Sequence, residues 1–110
     1  MERFVKGDVV VLPFPFSDMS NSKKRPALVL ANLQGEDIIL CMITSAVKID
    51  NYSITLNDND FEYGTLRKNS NIRPNRIFTA DKSLILYKVG YLKNDKTDEV
   101  EKKLVNIFTS

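Results

Sequence analysis

The side chains of this 110-residue chain that could do chemistry are arginines, lysines and hydroxyls, because the sequence contains no histidine. The densest cationic stretch is Lys23-Lys24-Arg25-Pro26, followed at once by the apolar residues 27–30. A short apolar run indicates a strand covered on both faces, and a proline is tolerated at the strand boundary. Proline fixes its own φ and favours an extended backbone at the residue before it. The backbone of Arg25 is therefore predicted to be rigid, and Arg25 is a candidate for binding an anion. A solvated turn that keeps a hairpin soluble is the alternative.

The missing residue types exclude several kinds of active site. Without histidine, Ser-His-Asp and Cys-His catalysis and a paired-histidine ribonuclease mechanism are excluded. The single cysteine, Cys41, lies among apolar residues and is interpreted as a buried small hydrophobe. The four glycines are not clustered, so they form no phosphate cradle, and the acidic run 58–62 lacks the central glycine of a calcium loop. We therefore predict no metal site and no cofactor.

Two further groups of side chains fit an anion site without histidine. Thr44 and Ser45 close an apolar strand, at the point where side chains emerge from a barrel core. Ser70, Arg73 and Arg76 form a second polar group. Each group has an ordinary alternative, since strand ends often carry hydroxyls and basic clusters often form a solvated face. Their combination with the cationic stretch is what indicates anion binding.

Length and composition predict one globular domain over residues 1–110. The chain is 43% hydrophobic and 27% charged, as in ordinary soluble proteins, and its net charge is +2. The charge is unevenly distributed, because residues 20–35 and 65–82 are basic whereas residues 49–63 carry acids and no base. Two concentrated basic segments suit a polyanion partner. The sequence has no signal-like segment and no apolar run of about 18 residues, so we expect a cytoplasmic protein that does not enter a membrane.

The order of predicted elements is that of a small β-barrel. Apolar and β-branched runs predict strands, which are expected at residues 8–14, 26–32, 37–44, 52–56, 72–80 and 84–92. The C-terminal segment carries apolar residues at helical spacing instead, namely Val100, Leu104, Ile107 and Phe108. Asp95 or Thr97 provides the signal for the start of this helix. We therefore predict a mainly β fold, a small antiparallel barrel closed by one C-terminal helix.

Taken together, these stretches resemble a known family, the MazF/PemK toxins of type II toxin–antitoxin systems. The resemblance covers nearly the whole chain and rests on short motifs in the family's order. These motifs are Lys6-Gly7-Asp8-Val9-Val10, Pro13-Phe14-Pro15-Phe16-Ser17-Asp18, Arg25-Pro26-Ala27-Leu28-Val29-Leu30, Ile43-Thr44-Ser45 and Gly64…Leu66…Ser70…Ile72-Arg73…Phe78-Thr79-Ala80-Asp81-Lys82. Each motif is common by itself, and their joint order and spacing make the match specific.

The resemblance implies a fold, an activity and a catalytic pair. The implied fold is an SH3-like, CcdB/PemK-type antiparallel barrel that forms a homodimer. The implied activity is sequence-specific, metal-independent cleavage of single-stranded RNA, chiefly mRNA, which leaves a 2′,3′-cyclic phosphate and a 5′-hydroxyl. The family's catalytic arginine before the proline and threonine at the end of the third strand correspond to Arg25 and Thr44.

The resemblance also implies two kinds of macromolecular contact. RNA phosphates are expected to meet basic and hydroxyl side chains, and bases are expected to meet the first loop. The RNA-binding candidates are Phe16, Ser17, Asp18, Lys23, Lys24, Ser45, Lys48, Arg67, Ser70 and Arg73, with Asn21 as a further candidate in the first loop. A cognate antitoxin is the second expected partner, with an acidic segment that folds on the same basic groove.

Two other functions stay open from the sequence. One is a CcdB-like DNA gyrase poison on the same barrel, although that activity depends in its family on a C-terminal tryptophan and this chain has no tryptophan. The other is a catalytically silent barrel that binds RNA or a partner protein. The presence of Arg25 and Thr44 favours the ribonuclease over both.

Overall fold

Antiparallel strands dominate the backbone of the computed structural model, which describes residues 3–14, 23–45 and 50–110. Phe16, Ser17, Asp18, Asn21 and Lys48, all candidates for RNA contact, lie outside the described residues. The strands are β1 (Asp8–Phe14), β2 (Lys23–Asn32), β3 (Asp37–Thr44), β4 (Ile54–Leu56), β5 (Phe61–Gly64), β6 (Ser70–Asp81) and β7 (Tyr87–Leu92). Short 3-10 turns cover Asp58–Asp60 and Lys82–Leu84, and helix α1 spans Asn94–Thr109.

The strands form one curled sheet in the order β4-β6-β3-β2-β1-β7-β5, which gives a half-barrel with α1 packed against it. The predicted mainly β fold with one C-terminal helix is thereby confirmed. Because side chains alternate along each strand, every central strand contributes side chains to two cores, one on each face of the sheet. The first core, which includes α1, contains Val9, Leu28, Cys41, Ile43, Ile72 and Val100. The second core contains Val10, Leu12, Ala27, Val29, Ile38 and Leu40.

The predicted strand boundaries are confirmed where the apolar signal is continuous. β1 and β3 occupy the predicted residues 8–14 and 37–44, since both strands are buried on two faces. β5 was not predicted, and it forms because residues 61–64 pair with the last three residues of β7. Its four residues are too few to carry a recognisable alternation.

Helix α1 begins earlier than the sequence signal indicates. Lys93 is the N-cap residue and its side chain makes no capping hydrogen bond, so the predictions of Asp95 and Thr97 as the start signal were wrong. A single residue separates the end of β7 from the first helical residue, and the end of the strand therefore sets the helix start. At the other end Phe108 is 70% exposed, whereas Val100 is buried. Among the described residues, no helix has the length and apolar content that crossing a membrane requires.

Two valines of α1 allow the docking of the helix to be tested. Val100 is 1% exposed in the first core, whereas Val105 is 60% exposed. We expect Val100→Ala to lower the free energy of unfolding by roughly 2–3 kcal/mol, because it removes buried methyl groups and leaves a cavity. Val105→Ala is the matched control and should change stability by less than about 0.5 kcal/mol. Urea denaturation followed by circular dichroism measures both, and equal effects would contradict the placement of the helix.

The buried thiol of Cys41 gives a second test of the fold. Cys41 is fully buried on β3, and burial raises the pKa of its thiol to about 12. We expect the native thiol to resist a disulfide reagent at pH 8 and to react rapidly in denaturant, since only the thiolate is nucleophilic. The unfolded thiol loses its proton at lower pH than the folded one, so stability should fall as the pH rises toward 12. Fast labelling of the native protein would show that β3 is exposed.

Candidate functional site

The sheet separates into two halves at the end where the predicted catalytic pair lies. Pairing between β1 and β2 continues to Lys23, and pairing between β3 and β6 continues to Thr44. Pairing between β2 and β3, however, ends at Ala27 opposite Met42. We call the unpaired ends of these two strands, residues 23–26 and 43–45, the fork. At the fork, β2 and β3 are no longer paired with each other, although each stays paired with its other neighbour. We call the space between these two strand ends the cleft.

Pro26 explains why the pairing ends there. The Val29 carbonyl accepts a hydrogen bond from the Gly7 N–H at 3.0 Å, on the β1 side of β2. Backbone groups alternate along a strand, so the nitrogen of Pro26 points toward β3, where the next partner in register is Ile43. Proline has no N–H to donate to that partner. Pro26 was predicted at the boundary of its strand, and this was wrong, because β2 begins three residues earlier, at Lys23, and pairs with β1.

Arg25 and Thr44 stand on opposite sides of the fork and on the same face of the sheet. Arg25 alternates with Ala27, and Thr44 alternates with Met42, and both of these neighbours pack in the second core. Continuing the register beyond Ala27–Met42 places Arg25 across from Thr44. Both side chains are half-buried. Among the described residues, no carboxylate forms an ion pair with Arg25.

A second arginine occupies the same face one strand further along the sheet. Arg73 of β6 lies opposite Met42, immediately before an irregularity in the pairing of β6 with β3. Pro74 falls within this irregularity, the position where a sheet tolerates proline. β2 and β6 flank β3, so Arg25 and Arg73 lie on either side of β3 and on the same face. A bound anion over β3 could therefore be reached by both guanidinium groups.

Arg73 is buried and paired, in contrast to Arg25. The residue is 9% exposed, and its Nη2 donates to Oδ2 of Asp50 at 3.1 Å. The other carboxylate oxygen, Oδ1, accepts from the N–H groups of Tyr52 at 2.9 Å and Ser53 at 2.8 Å. The Ser53 amide, then the Tyr52 amide and more weakly Arg73, hold the pKa of Asp50 below its usual value. Asp50 is therefore ionised at neutral pH and fixed by three donors.

The remaining residues of the fork supply exposed positive charge. Lys23 and Lys24 are exposed at the start of β2, and alternation places Lys23 on the same face as Arg25 and Lys24 on the other face. Ser45 is exposed immediately after β3. These side chains therefore lie at the solvent-exposed ends of the two strands. Their positions suit contacts to a charged backbone more than contacts to a reacting atom.

The structure does not bring Ser70 and Arg67 to the same place as the arginine pair. Ser70 is 4% exposed, shares the face of Ile72 in the first core, and donates from its hydroxyl to the Lys68 carbonyl at 3.2 Å. Arg67 is exposed in the connection before β6 and adopts a positive φ of 63°. Its backbone N–H donates to the Thr65 hydroxyl at 2.9 Å. The backbone of Arg67 is therefore fixed in the connection before β6, and the Ser70 side chain is buried in the sheet.

Sequence reasoning missed two residues of the site, Asn71 and Asp50. Asn71 lies opposite Thr44 and, two residues from Arg73, shares the same face. Thr55 of β4 continues this polar row to the edge of the sheet. The spacing of Asn71 and Arg73 along one strand was a signal that could have been used. Asp50 left no such signal, because it is 23 positions away from Arg73 in sequence.

The site has the chemical character of an oxyanion clamp. Two guanidinium groups and a threonine hydroxyl lie on the same face, with an amide side chain in register with the threonine. Of the two guanidinium groups, Arg73 is paired with Asp50, and Arg25 has no ion pair with a described carboxylate. Planar guanidinium groups match the oxygen atoms of a phosphate in two-pronged hydrogen bonds. Within residues 3–14, 23–45 and 50–110, no group of three or more His, Cys, Asp or Glu side chains is arranged to hold a metal ion.

The chain belongs to the PemK-like, MazF-like toxins of type II toxin–antitoxin systems, whose family model matches residues 5–108. No curated protein sequence matches the chain significantly. Among solved structures, MazF (Form I) from Deinococcus radiodurans is 22% identical, with a TM-score of 0.78 and complete coverage of both chains.

Two structures that contain antitoxins are also similar to this chain. A mycobacterial endoribonuclease in complex with its cognate antitoxin gives a TM-score of 0.77 at 12% identity, over 96% of this chain and 95% of that one. The MazE–MazF complex (Form II) from Deinococcus radiodurans gives 0.74 at 20% identity, over 99% and 98%. These similarities confirm the fold of the toxin family.

Proposed function

We propose that this protein is a sequence-specific endoribonuclease toxin that cleaves single-stranded RNA, chiefly mRNA, without a metal ion. The observation that carries the proposal is the placement of Arg25 and Thr44 across the fork, on one face, with no described carboxylate neutralising Arg25. Membership of the toxin family supports it, as does the similarity to a mycobacterial endoribonuclease. A phosphate of the RNA backbone is the anion that best fits between these side chains.

The proposed reaction is an internal transfer at one phosphate. The ribose 2′-oxygen forms a bond to phosphorus, and the bond from phosphorus to the 5′-oxygen breaks. The proton of the 2′-hydroxyl leaves to a base, and the departing 5′-oxygen gains a proton. The products are a 2′,3′-cyclic phosphate and a 5′-hydroxyl. No residue of the chain is assigned as the base.

Arg25 stabilises the charge that develops during this reaction. Negative charge grows on the non-bridging oxygens and on the leaving oxygen, and a fixed guanidinium donates two hydrogen bonds toward them. A guanidinium offers hydrogen-bond donors and no acceptor, so the role of Arg25 is electrostatic. Thr44 donates a hydrogen bond to the phosphate or orients the 2′-hydroxyl from the other side of the fork. Neither function needs a titrating histidine.

RNA binding in this proposal is shared between phosphate contacts and base contacts. Lys23 and Lys24 bind phosphates at the exposed end of the fork, and Arg73 binds a phosphate from its buried position on β6. Contacts to phosphates carry little sequence information. Ser45, Lys48, Arg67 and Ser70 stay as predicted RNA contacts, although the structure separates Arg67 and Ser70 from the fork. Phe16, Ser17 and Asp18 stay as the predicted readers of bases.

We further propose that a cognate antitoxin neutralises the protein and that the toxin is a cytoplasmic homodimer. Two of the similar structures are complexes of a toxin with its antitoxin. An acidic antitoxin segment that folds in the fork would meet Arg25, which no described carboxylate neutralises, and the two exposed lysines. Binding there excludes RNA, because both ligands need the same positive charges.

The first test is cleavage of a long single-stranded RNA in EDTA. We expect wild type to make site-specific cuts with 5′-hydroxyl ends, and Arg25→Ala to lose about two decades of rate, since one oxyanion donor is worth ~3 kcal/mol. Arg25→Lys keeps the charge but loses the planar pair of donors, so it should stay strongly impaired. Lys102→Ala removes an exposed positive charge of α1 and is the matched control with unchanged cleavage.

The same experiment can overturn the proposal. A purified wild type that cuts no RNA would contradict an endoribonuclease, and a gyrase-trapping assay would then test the other toxin activity. Equal cleavage by wild type and Arg25→Ala would contradict the placement of the site. Activity that disappears in EDTA would contradict the metal-independent mechanism.

Thr44→Val tests the contribution of the hydroxyl, because valine keeps the shape of the side chain. We expect cleavage to slow by roughly one to two decades, as for the loss of one hydrogen bond to a charged group in the transition state. The half-saturating RNA concentration should change little, since the lysines still provide most of the binding. A rate equal to wild type would remove Thr44 from the mechanism.

A further inference from the structure

The ion pair between Arg73 and Asp50 is the most buried polar contact near the fork. The side chain of Arg73 is 10% exposed and that of Asp50 is 29% exposed. Nε of Arg73 is buried and has no hydrogen-bond partner among the described residues. A buried guanidinium held through one edge depends on that edge for its orientation. The carboxylate therefore determines where the rest of the guanidinium points.

Asp50 is itself held more firmly than a surface carboxylate would be. Its Oδ1 is fixed by the two backbone amides, which closes a local turn over residues 50–53. The adjoining carbonyl of Asn51 accepts a hydrogen bond from Nζ of Lys103 at 2.9 Å, which attaches the turn to α1. Oδ2 is left facing Arg73. This carboxylate is preorganised to accept from one arginine.

We propose that Asp50 is a positioning residue, which orients the Arg73 guanidinium toward the phosphate bound between Arg25 and Thr44. This inference rests on the proposed ribonuclease function and adds a residue to it. Asp50 touches neither the RNA nor the reacting atoms, and it acts through Arg73. The carboxylate also balances the buried positive charge of Arg73, which costs free energy when left unpaired.

The alternative roles of the pair make different kinetic predictions. If the pair were purely structural, losing it would lower stability and leave the cleavage step unchanged. If Asp50 held Arg73 away from the RNA, losing it would speed cleavage. A positioning role predicts slower cleavage with little change in RNA binding, because misplacing a catalytic cation affects the transition state more than the ground state.

Asp50→Asn separates these roles. Asparagine keeps an oxygen for the amides of Tyr52 and Ser53 but turns a donor group toward Arg73. In single-turnover cleavage of the RNA cut by wild type, we expect the maximal rate constant to fall about ten- to a hundredfold. The half-saturating enzyme concentration should change by less than about threefold. Glu101→Gln breaks the exposed Lys6–Glu101 ion pair and is the matched control without effect.

A double-mutant cycle tests whether Asp50 acts through Arg73. Because the proposed path runs through Arg73, adding Asp50→Asn to Arg73→Gln should cause no further loss of rate. Circular dichroism verifies that each variant is folded. Should Asp50→Asn not fold, Asp50→Glu, which keeps the charge and displaces the carboxylate, is measured instead and should show the same fall in rate constant.

The outcomes distinguish this inference from the proposed function. An unchanged or faster rate constant in the folded Asp50 variant, or full additivity in the cycle, would overturn the positioning role while wild-type cleavage stands. A change confined to the half-saturating enzyme concentration would also overturn the positioning role. A wild type that cuts no RNA would overturn the ribonuclease proposal and, with it, the role of Asp50.

Discussion

The candidate site depends on one missing hydrogen-bond donor. Pro26 has no N–H to offer Ile43, so the pairing of β2 with β3 ends while the flanking pairings continue. Both sides of the resulting cleft are consequently rigid, because each is still half of a strand pair. Arg25 extends from one side and Thr44 ends the other. A loop could present the same two side chains, but it could not fix the separation between them as firmly.

The two arginines of this face, Arg25 and Arg73, differ in burial and therefore in their need for a carboxylate partner. Arg73 lies in the interior and needs a counter-charge, which Asp50 provides at 3.1 Å. Arg25 is half-buried at the cleft and has no such partner among the described carboxylates. In the proposed site, this is the positive charge that meets the phosphate. The same face of one small sheet thus holds one arginine paired with a carboxylate and one with no ion pair to a described carboxylate.

The sequence predicted the features that depend on local pattern and missed those that depend on contacts across the chain. The strands β1 and β3 and the buried Cys41 followed from continuous apolar runs, and the C-terminal helix followed from apolar residues at helical spacing. The start of α1 was missed because the end of β7 sets it. Arg25 and Thr44 could be singled out because each stands at the end of an apolar run in the sequence. Asp50 could not, since nothing in the residues around it indicates that it meets Arg73.

Pro26 also creates a conflict between the stability of the sheet and the opening of the cleft. A replacement such as alanine would restore the N–H that points toward β3, and the strand pair could then extend by one more hydrogen bond. The longer pair would be favoured in folding but would draw the two walls of the cleft together. Selection for stability alone would therefore favour replacement of Pro26 and closure of the cleft, whereas keeping the cleft open requires tolerating the weaker strand pair.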